Sequence, residues 1–301
     1  MSLFRIKKRK RSAHKGDYGH VLVVAGSTGM TGAAYLSSEA ALISGAGLVT
    51  LAIPESLNCI MQRKLVEVMT LPLPETKEKS LALSGYNKII AFAKKADCVL
   101  IGPGLSRNRQ TQILIRSLIK DIKLPIVIDA DALNALAGHL SLLQASGIQP
   151  ASPAGRHSAS SIKHQAARIL TPHSGEMARL TKLGISFINN NKKNLAKKFT
   201  SEYNVTTVIK GHRTVVASPE NKFYINKTGN PGMASAGCGD VLSGIIAALL
   251  ASGMEPFKAA RLGVYVHGLA GDIAAKEIGE ISLRARDLLR SLPKAFKKVY
   301  K

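Results

Sequence analysis

Gly237-Cys-Gly-Asp240 stands directly ahead of a run of small and apolar residues reaching Ala251. Two glycines let backbone N–H groups turn toward a ligand, and a helix starting there presents its positive end to the same point. Together they stabilise a phosphate or a developing oxyanion. An Asp in that place could accept the proton of a substrate hydroxyl as its oxygen attacks a terminal phosphoryl group, as kinase aspartates do. Asp is also favoured in the first turn of any helix, so a catalytic and a purely structural Asp240 both stand. Cys238 reads as packing and not as a nucleophile.

Other chemistry-bearing residues stand at the ends of strand-like runs. Lys210-Gly-His-Arg-Thr214 follows a β-branched run; a cation and exposed turn amides there could hold nucleotide phosphates, although a solvated hairpin turn is the simpler reading. His173 follows Pro172, with Gly175 and Glu176 beyond it, and a neutral imidazole there could hydrogen-bond a polar ligand, though a lone His is more often structural. Asp129 and Asp131 flank Ala130, where they could hold Mg²⁺ directly or through water, or where Asp131 could cap a helix. Gly26-Ser-Thr-Gly29-Met-Thr-Gly32 and Gly102-Pro-Gly104 complete the set. The first is spaced GxxGxxG, not GxGxxG, and no GxxxxGK[ST] occurs, so neither the dinucleotide fingerprint nor a P-loop is present.

The elements that carry these residues alternate between strand-like and helical patterns, the sign of an α/β protein with a mainly parallel sheet. Strands are expected at 20–25, 48–53, 97–101, 125–129, 168–170 and 206–210, with a hairpin partner at 214–218. Helices are expected at 31–44, 110–120, 132–136, 174–183, 191–199, from Asp240 to 251, and at 256–278. In such sheets ligands bind beyond the carboxyl ends of the strands, where all the residues above lie. Residues 13–301 read as one domain behind a basic tail, 1–12. The stretch Gln144 to Gln165, without periodicity, reads as a mobile surface loop.

Composition removes several classes. The chain has 301 residues, 46% of them hydrophobic, which is globular and not disordered. Its three cysteines are dispersed and odd in number, which excludes a disulfide framework or a Cys/His metal site and fits the cytoplasm. No apolar run approaches a membrane span, and the N-terminus lacks the apolar stretch of a secretory signal. Lys and Arg outnumber Asp and Glu by 42 to 19. Such a field attracts anions. With 5% aromatics and no nucleic-acid-reading motif, nucleic acid is not the expected partner, and the field suits a nucleotide-handling enzyme.

Taken in order, these segments resemble the ADP/ATP-dependent NAD(P)H-hydrate dehydratases of the ribokinase-like superfamily. The resemblance is carried by Lys15-Gly-Asp-Tyr-Gly-His-Val-Leu-Val-Val-Ala-Gly-Ser27, Thr31-Gly-Ala-Ala34 and Ser44-Gly-Ala-Gly-Leu-Val49, and by Ile101-Gly-Pro-Gly-Leu105, Asp129-Ala-Asp-Ala-Leu-Asn134 and Leu170-Thr-Pro-His-Ser-Gly-Glu176. It continues through Lys210–Thr214 and is most specific over Gly229–Gly244. It implies a ribokinase-like three-layer sandwich, a mainly parallel central sheet flanked by helices. It implies a repair lyase that returns the C6-hydrated cofactors NADHX and NADPHX to NADH and NADPH while ADP or ATP, with Mg²⁺, is cleaved. Asp240 would be the catalytic base and also touch the hydrate. Lys210, Gly211, His212, Arg213, Thr214 and Gly239 would bind the adenine nucleotide, with Gly237 to Gly239 against the transferring phosphoryl. Ala33, Gly104 and His173 would line the hydrate pocket. No metal ligand is assigned, although Glu176, in the position of the superfamily's metal-associated acid, could order Mg²⁺ through water.

Cys238 departs from the family's usual Thr or Ser, and the 144–165 stretch is longer than the family leads one to expect. The resemblance further implies a homotetramer, and with so few residues ahead of Lys15 a separate NAD(P)HX epimerase is expected. The alternatives are a small-molecule kinase of the same superfamily, of hydroxymethylpyrimidine or hydroxyethylthiazole type, and a basic RNA-binding protein on an inactive enzyme fold.

Overall fold

The computed structural model describes residues 11–144 and 167–300. The elements in chain order are β1 (His20–Val24), α1 (Thr31–Ile43), β2 (Leu48–Pro54), α2 (Glu55–Lys64), β3 (Met69–Leu73), α3 (Tyr86–Ala93), β4 (Cys98–Ile101), α4 (Arg109–Asp121), β5 (Ile126–Ile128), α5 (Asp131–Leu136) and α6 (Ser141–Gln144). They continue with β6 (Arg168–Leu170), α7 (Ser174–Thr181), α8 (Ile185–Tyr203), β7 (Thr206–Ile209), β8 (Val215–Ala217), β9 (Phe223–Ile225), α9 (Cys238–Ala251), α10 (Pro256–Ile278) and α11 (Ala285–Val299).

The strands form one sheet in the order β3-β2-β1-β4-β5-β6-β7-β8-β9. It is parallel from β3 through β7 and antiparallel at β8 and β9. The central strands are apolar on both faces because helices cover both. Side chains alternate along β1: Val21 and Val23 enter one core with α1, α9, α10 and α11, while Leu22 and Val24 enter the other with α3, α4, α7 and α8. The result is a three-layer α/β/α sandwich. Helix α9 is apolar on nearly every side and is buried from Val241 to Ala251, because it lies between the sheet and its neighbours α1 and α10.

Expected elements form within a few residues of their expected limits, except that the 191–199 helix is longer. It runs Ile185–Tyr203 with a bend at Asn191. Helices α2, α3, α6 and α11 and strands β3 and β9 are additions to the sequence reading. Strands β3 and β9 are the sheet's edges, where exposure removes the apolar signature, and Pro72 in β3 is tolerated there. Helix α11 carries Pro293 inside it, which reads as a helix breaker in sequence. Among the described residues no helix is long and apolar enough to cross a membrane. Gln144, where the loop was expected to start, ends α6; the rest of 144–165 and all but the last two residues of the 1–12 tail lie outside the described residues.

Candidate active site

Order reverses in the sheet at β1, whose neighbours are β2 and β4, and the loops leaving β1 and β4 are tied together there. Gly26 N–H donates to Pro103 O at 2.9 Å, and Ser27 Oγ donates to Gly104 O at 2.8 Å. Gly104 has φ +63°, and a Cβ on it would come within 2.8 Å of Met30 O and 3.1 Å of Ala33 Cβ. The two small residues expected to line a substrate pocket therefore stand against each other, Gly104 on the loop after β4 and Ala33 in the first turn of α1. Asp131 holds the same rim through Ser106 N–H, 2.9 Å from its Oδ2, while its Oδ1 accepts from Asn134 Nδ2 at 3.1 Å. The capping role considered for Asp131 is corrected: Ala130, at φ +48°, is the cap residue of α5, with no side-chain cap bond.

The start of α9 faces this rim. Gly237 is its cap residue at φ +88°, and a side chain there would collide with Leu36, one turn along α1 from Ala33. Asp240 occupies the third helical position, but its carboxylate accepts no hydrogen bond among the described residues and so caps nothing. Behind the turn, His267 of α10 donates from Nε2 to Cys238 O at 2.8 Å. Burial drives the His267 pKa down to about 4, so it makes this bond as a neutral imidazole. Nothing local in the sequence marks His267, which lies mid-helix 29 positions from its partner.

Lys210 closes the site from the other side. Its Nζ donates to Asp129 Oδ1 at 2.7 Å, stands 3.7 Å from Glu176 Oε2, and lies 3.3 Å from where a Cβ on Gly239 would be. The solvated-turn reading of Lys210 is thereby corrected; its side chain is 16% exposed and ion-paired. Burial works against its ammonium, but Asp129, then Glu176, and more weakly Asp240 outweigh it and raise its pKa. The turn beyond is exposed at Gly211, His212 and Arg213, with Thr214 Oγ1 donating to Gly211 O at 2.9 Å.

His173 caps α7. Its Nδ1 accepts from Gly175 N–H at 3.0 Å and Glu176 N–H at 3.3 Å, and Glu176 Oε2 accepts from His173 N–H at 2.8 Å. This reciprocal pairing is a capping box with imidazole as the cap. Burial, then Lys210, lowers the His173 pKa, so the ring stays neutral and its Nε2, 3.3 Å from Glu176 Oε1, carries the proton. Glu176 is raised chiefly by burial.

Three carboxylates, Asp129, Glu176 and Asp240, thus share one ammonium. The consequence falls on Asp240, pushed up to about 7, first by burial and then by the Asp129 charge, with Lys210 opposing. A carboxyl poised near neutrality, aimed at a helix N-terminus beside a buried cation, can take a proton from a hydroxyl while the helix and cation hold the phosphoryl group that hydroxyl attacks. Asp129 Oδ2 is buried without a hydrogen-bond partner among the described residues. No group of three or more His, Cys, Asp or Glu among those residues could hold a metal. The site fits a hard cation carried mainly by phosphate oxygens and water, as Mg²⁺ commonly is.

A family model described as NAD(P)H-hydrate dehydratase matches residues 21–294. The bifunctional NAD(P)H-hydrate repair enzyme Nnr of Moorella thermoacetica is 44% identical over 96% of this chain, which spans about half, 51%, of that relative's length. The ADP-dependent (S)-NAD(P)H-hydrate dehydratase of Neisseria meningitidis is 33% identical over 91% of this chain and 83% of its own. Among solved structures, the ADP/ATP-dependent NAD(P)H-hydrate dehydratase of Bacillus subtilis, co-crystallised with ATP/Mg²⁺, superposes with a TM-score of 0.77 at 27% identity, over 98% of this chain and 94% of that one. A ribokinase-like superfamily protein of Enterococcus faecalis gives a TM-score of 0.77 at 26% identity, over 98% of this chain and 92% of its own. The sandwich is ribokinase-like, and the chain belongs to the NAD(P)H-hydrate dehydratase family.

Proposed function

We propose that this chain dehydrates the C6-hydrates NADHX and NADPHX to NADH and NADPH at the expense of ADP or ATP. Hydroxide is a poor leaving group, so the C6 hydroxyl must first become a phosphate ester. Asp240 takes the hydroxyl proton as the oxygen attacks the terminal phosphorus, and the bond from that phosphorus to the rest of the nucleotide breaks, leaving AMP or ADP. The lone pair of the ring nitrogen then expels phosphate from C6, and loss of a proton from C5 restores the ring double bond. The N–H groups of the Gly237–Gly239 turn and the Lys210 ammonium face the transferring group, and Lys210 to Thr214 hold the nucleotide. Ala33, Gly104 and the Nε2–H of His173 receive the hydrate. When bound, Mg²⁺ neutralises phosphate charge; Asp129 and Glu176 would hold it, through water.

The observation that carries this reading is the Asp240 carboxylate, unbonded and raised to about 7, at the α9 N-terminus opposite Lys210. The neighbouring kinase reading would use the same Asp240; the family match along 21–294 favours the dehydratase. Absorbance at 340 nm, after adding protein to NADHX with ADP or ATP and Mg²⁺, tests it. A nucleotide-dependent rise is expected, and a flat trace from folded protein refutes it. Cooperation with an NAD(P)HX epimerase and assembly as a homotetramer belong to the same proposal; sedimentation as a monomer would refute the latter.

A further inference from the structure

Lys192 lies one residue past the bend of α8, where Asn191 leaves helical geometry (φ −123°, ψ 19°) and its Nδ2 donates to Phe187 O at 2.9 Å. From there its ammonium reaches the β7–β8 turn and donates to His212 O at 3.2 Å. It also lies 2.8 Å from where a Cβ on Gly211 would stand, so the turn approaches this closely only because residue 211 has no side chain. The lysine is half-buried, and burial lowers its pKa with no carboxylate to offset it. An ammonium has three donors, and among the described residues one of them is used.

Its neighbours on α8 behave differently. Lys193 and Lys197 stand over the Phe223 ring, 4.2 and 4.7 Å from its centroid, toward the sheet edge. Lys210, next in sequence to Gly211, is buried too, but Asp129 and Glu176 balance it. Partial desolvation of a cation without a counter-charge costs free energy, and Lys192 incurs that cost at the turn expected to hold a nucleotide. An anion would offset it.

We propose that Lys192 is a second phosphate-binding cation of the nucleotide turn, taking a phosphate oxygen of the adenine nucleotide while staying on the His212 carbonyl. This rests on the nucleotide reading of Lys210 to Thr214. If Lys192 served only to pin the turn, its loss would weaken every ligand of the turn alike, whether or not that ligand carried phosphate.

The test is calorimetric binding of ADP and of adenosine to the full chain and to Lys192→Met, Lys192→Arg and, as a surface control, Lys193→Met, each checked for folding by thermal unfolding. Loss of one charge-assisted hydrogen bond at a half-buried site is worth about tenfold in affinity. ADP binding to Lys192→Met is therefore expected to weaken about tenfold and to lose part of its salt dependence. Adenosine binding should stay unchanged, with Lys192→Arg intermediate and Lys193→Met like wild type. Equal weakening of ADP and adenosine, or unchanged ADP binding, overturns the proposal. If the wild-type chain binds neither ADP nor ATP, the nucleotide reading falls and takes this proposal with it.

Discussion

Replacing Asp129 with Asn should move the acid limb of the pH–rate profile downward. Asp240 must be ionised to take a proton, so kcat/KM should rise with pH through the Asp240 pKa, lifted from an ordinary 3.8 to about 7. At about 1.36 kcal/mol per pH unit, that lift is about 4 kcal/mol of disfavour for the charged form. Burial supplies the largest share and Asp129 the next. The Asn removes the Asp129 share and also releases Lys210, held at 2.7 Å from Asp129, to turn toward Asp240. An opposite charge within reach lowers a carboxyl by roughly one to three pH units. Both effects have the same sign, so the midpoint should fall from about 7 to about 6 or below.

The assay is kcat/KM for NADHX, followed at 340 nm from about pH 5 to 9 at fixed ionic strength, bracketing the expected midpoints. A nucleotide phosphate itself ionises near pH 6, but it does so identically in both proteins and cancels in the comparison. A midpoint that stays put or rises in Asp129→Asn would refute the charge argument. Lys210→Met should move the limb the opposite way.

The same raised carboxyl should cost stability above neutrality. A pKa higher in the folded than in the unfolded chain contributes stability that is full below about pH 4 and is lost as pH rises through about 7. Asp240→Asn should thus abolish turnover yet stabilise the fold at pH 8 by about 1–3 kcal/mol, with little gain at pH 4, read by urea unfolding at both; equal gains at both would contradict it. Gly104→Val, placing a branched side chain at φ +63° against Met30 O and Ala33, should raise the hydrate KM roughly tenfold or more and leave the ADP KM near wild type; an unchanged hydrate KM would remove Gly104 from the pocket. Iodoacetamide near neutral pH should label Cys59, which is exposed, and spare Cys98 and Cys238, whose thiols burial holds protonated; mass spectrometry showing modified Cys238 would contradict that.

The sequence exposed those parts of the site that depend on local backbone chemistry. Gly237 to Asp240 was legible because a positive-φ turn feeding a helix needs glycine, and Gly104 and Lys210 because strand ends are marked by breakers after β-branched runs. The pairings were not legible. Asp129 and Lys210 are 81 positions apart and meet only because β5, β6 and β7 are adjacent and parallel in the sheet. His267 carries no signal within its amphipathic helix, and Lys192 looks like any lysine of a Lys- and Asn-rich helix. His173 illustrates a further gap: structural and functional readings of a lone His stand as alternatives in the sequence, whereas one nitrogen caps α7 while the other, 3.3 Å from Glu176 Oε1, stays out of the cap.

The sheet order also divides labour across its width. The first turn of α1, after β1, and the loop after β4 carry Ala33 and Gly104, assigned to the hydrate, and the turn after β7 carries the residues assigned to the nucleotide; Asp129, at the end of β5, His173, after β6, and the start of α9 stand between them. In the proposed reaction the phosphoryl donor and its acceptor would thus be read mainly by different strands, joined through one shared centre. Such a scaffold is evolvable one half at a time: substitutions in the β1 and β4 loops can retarget the acceptor while donor recognition and the transfer centre remain intact. Inherited variation among relatives of this fold should therefore concentrate on one flank of the sheet before it reaches the other.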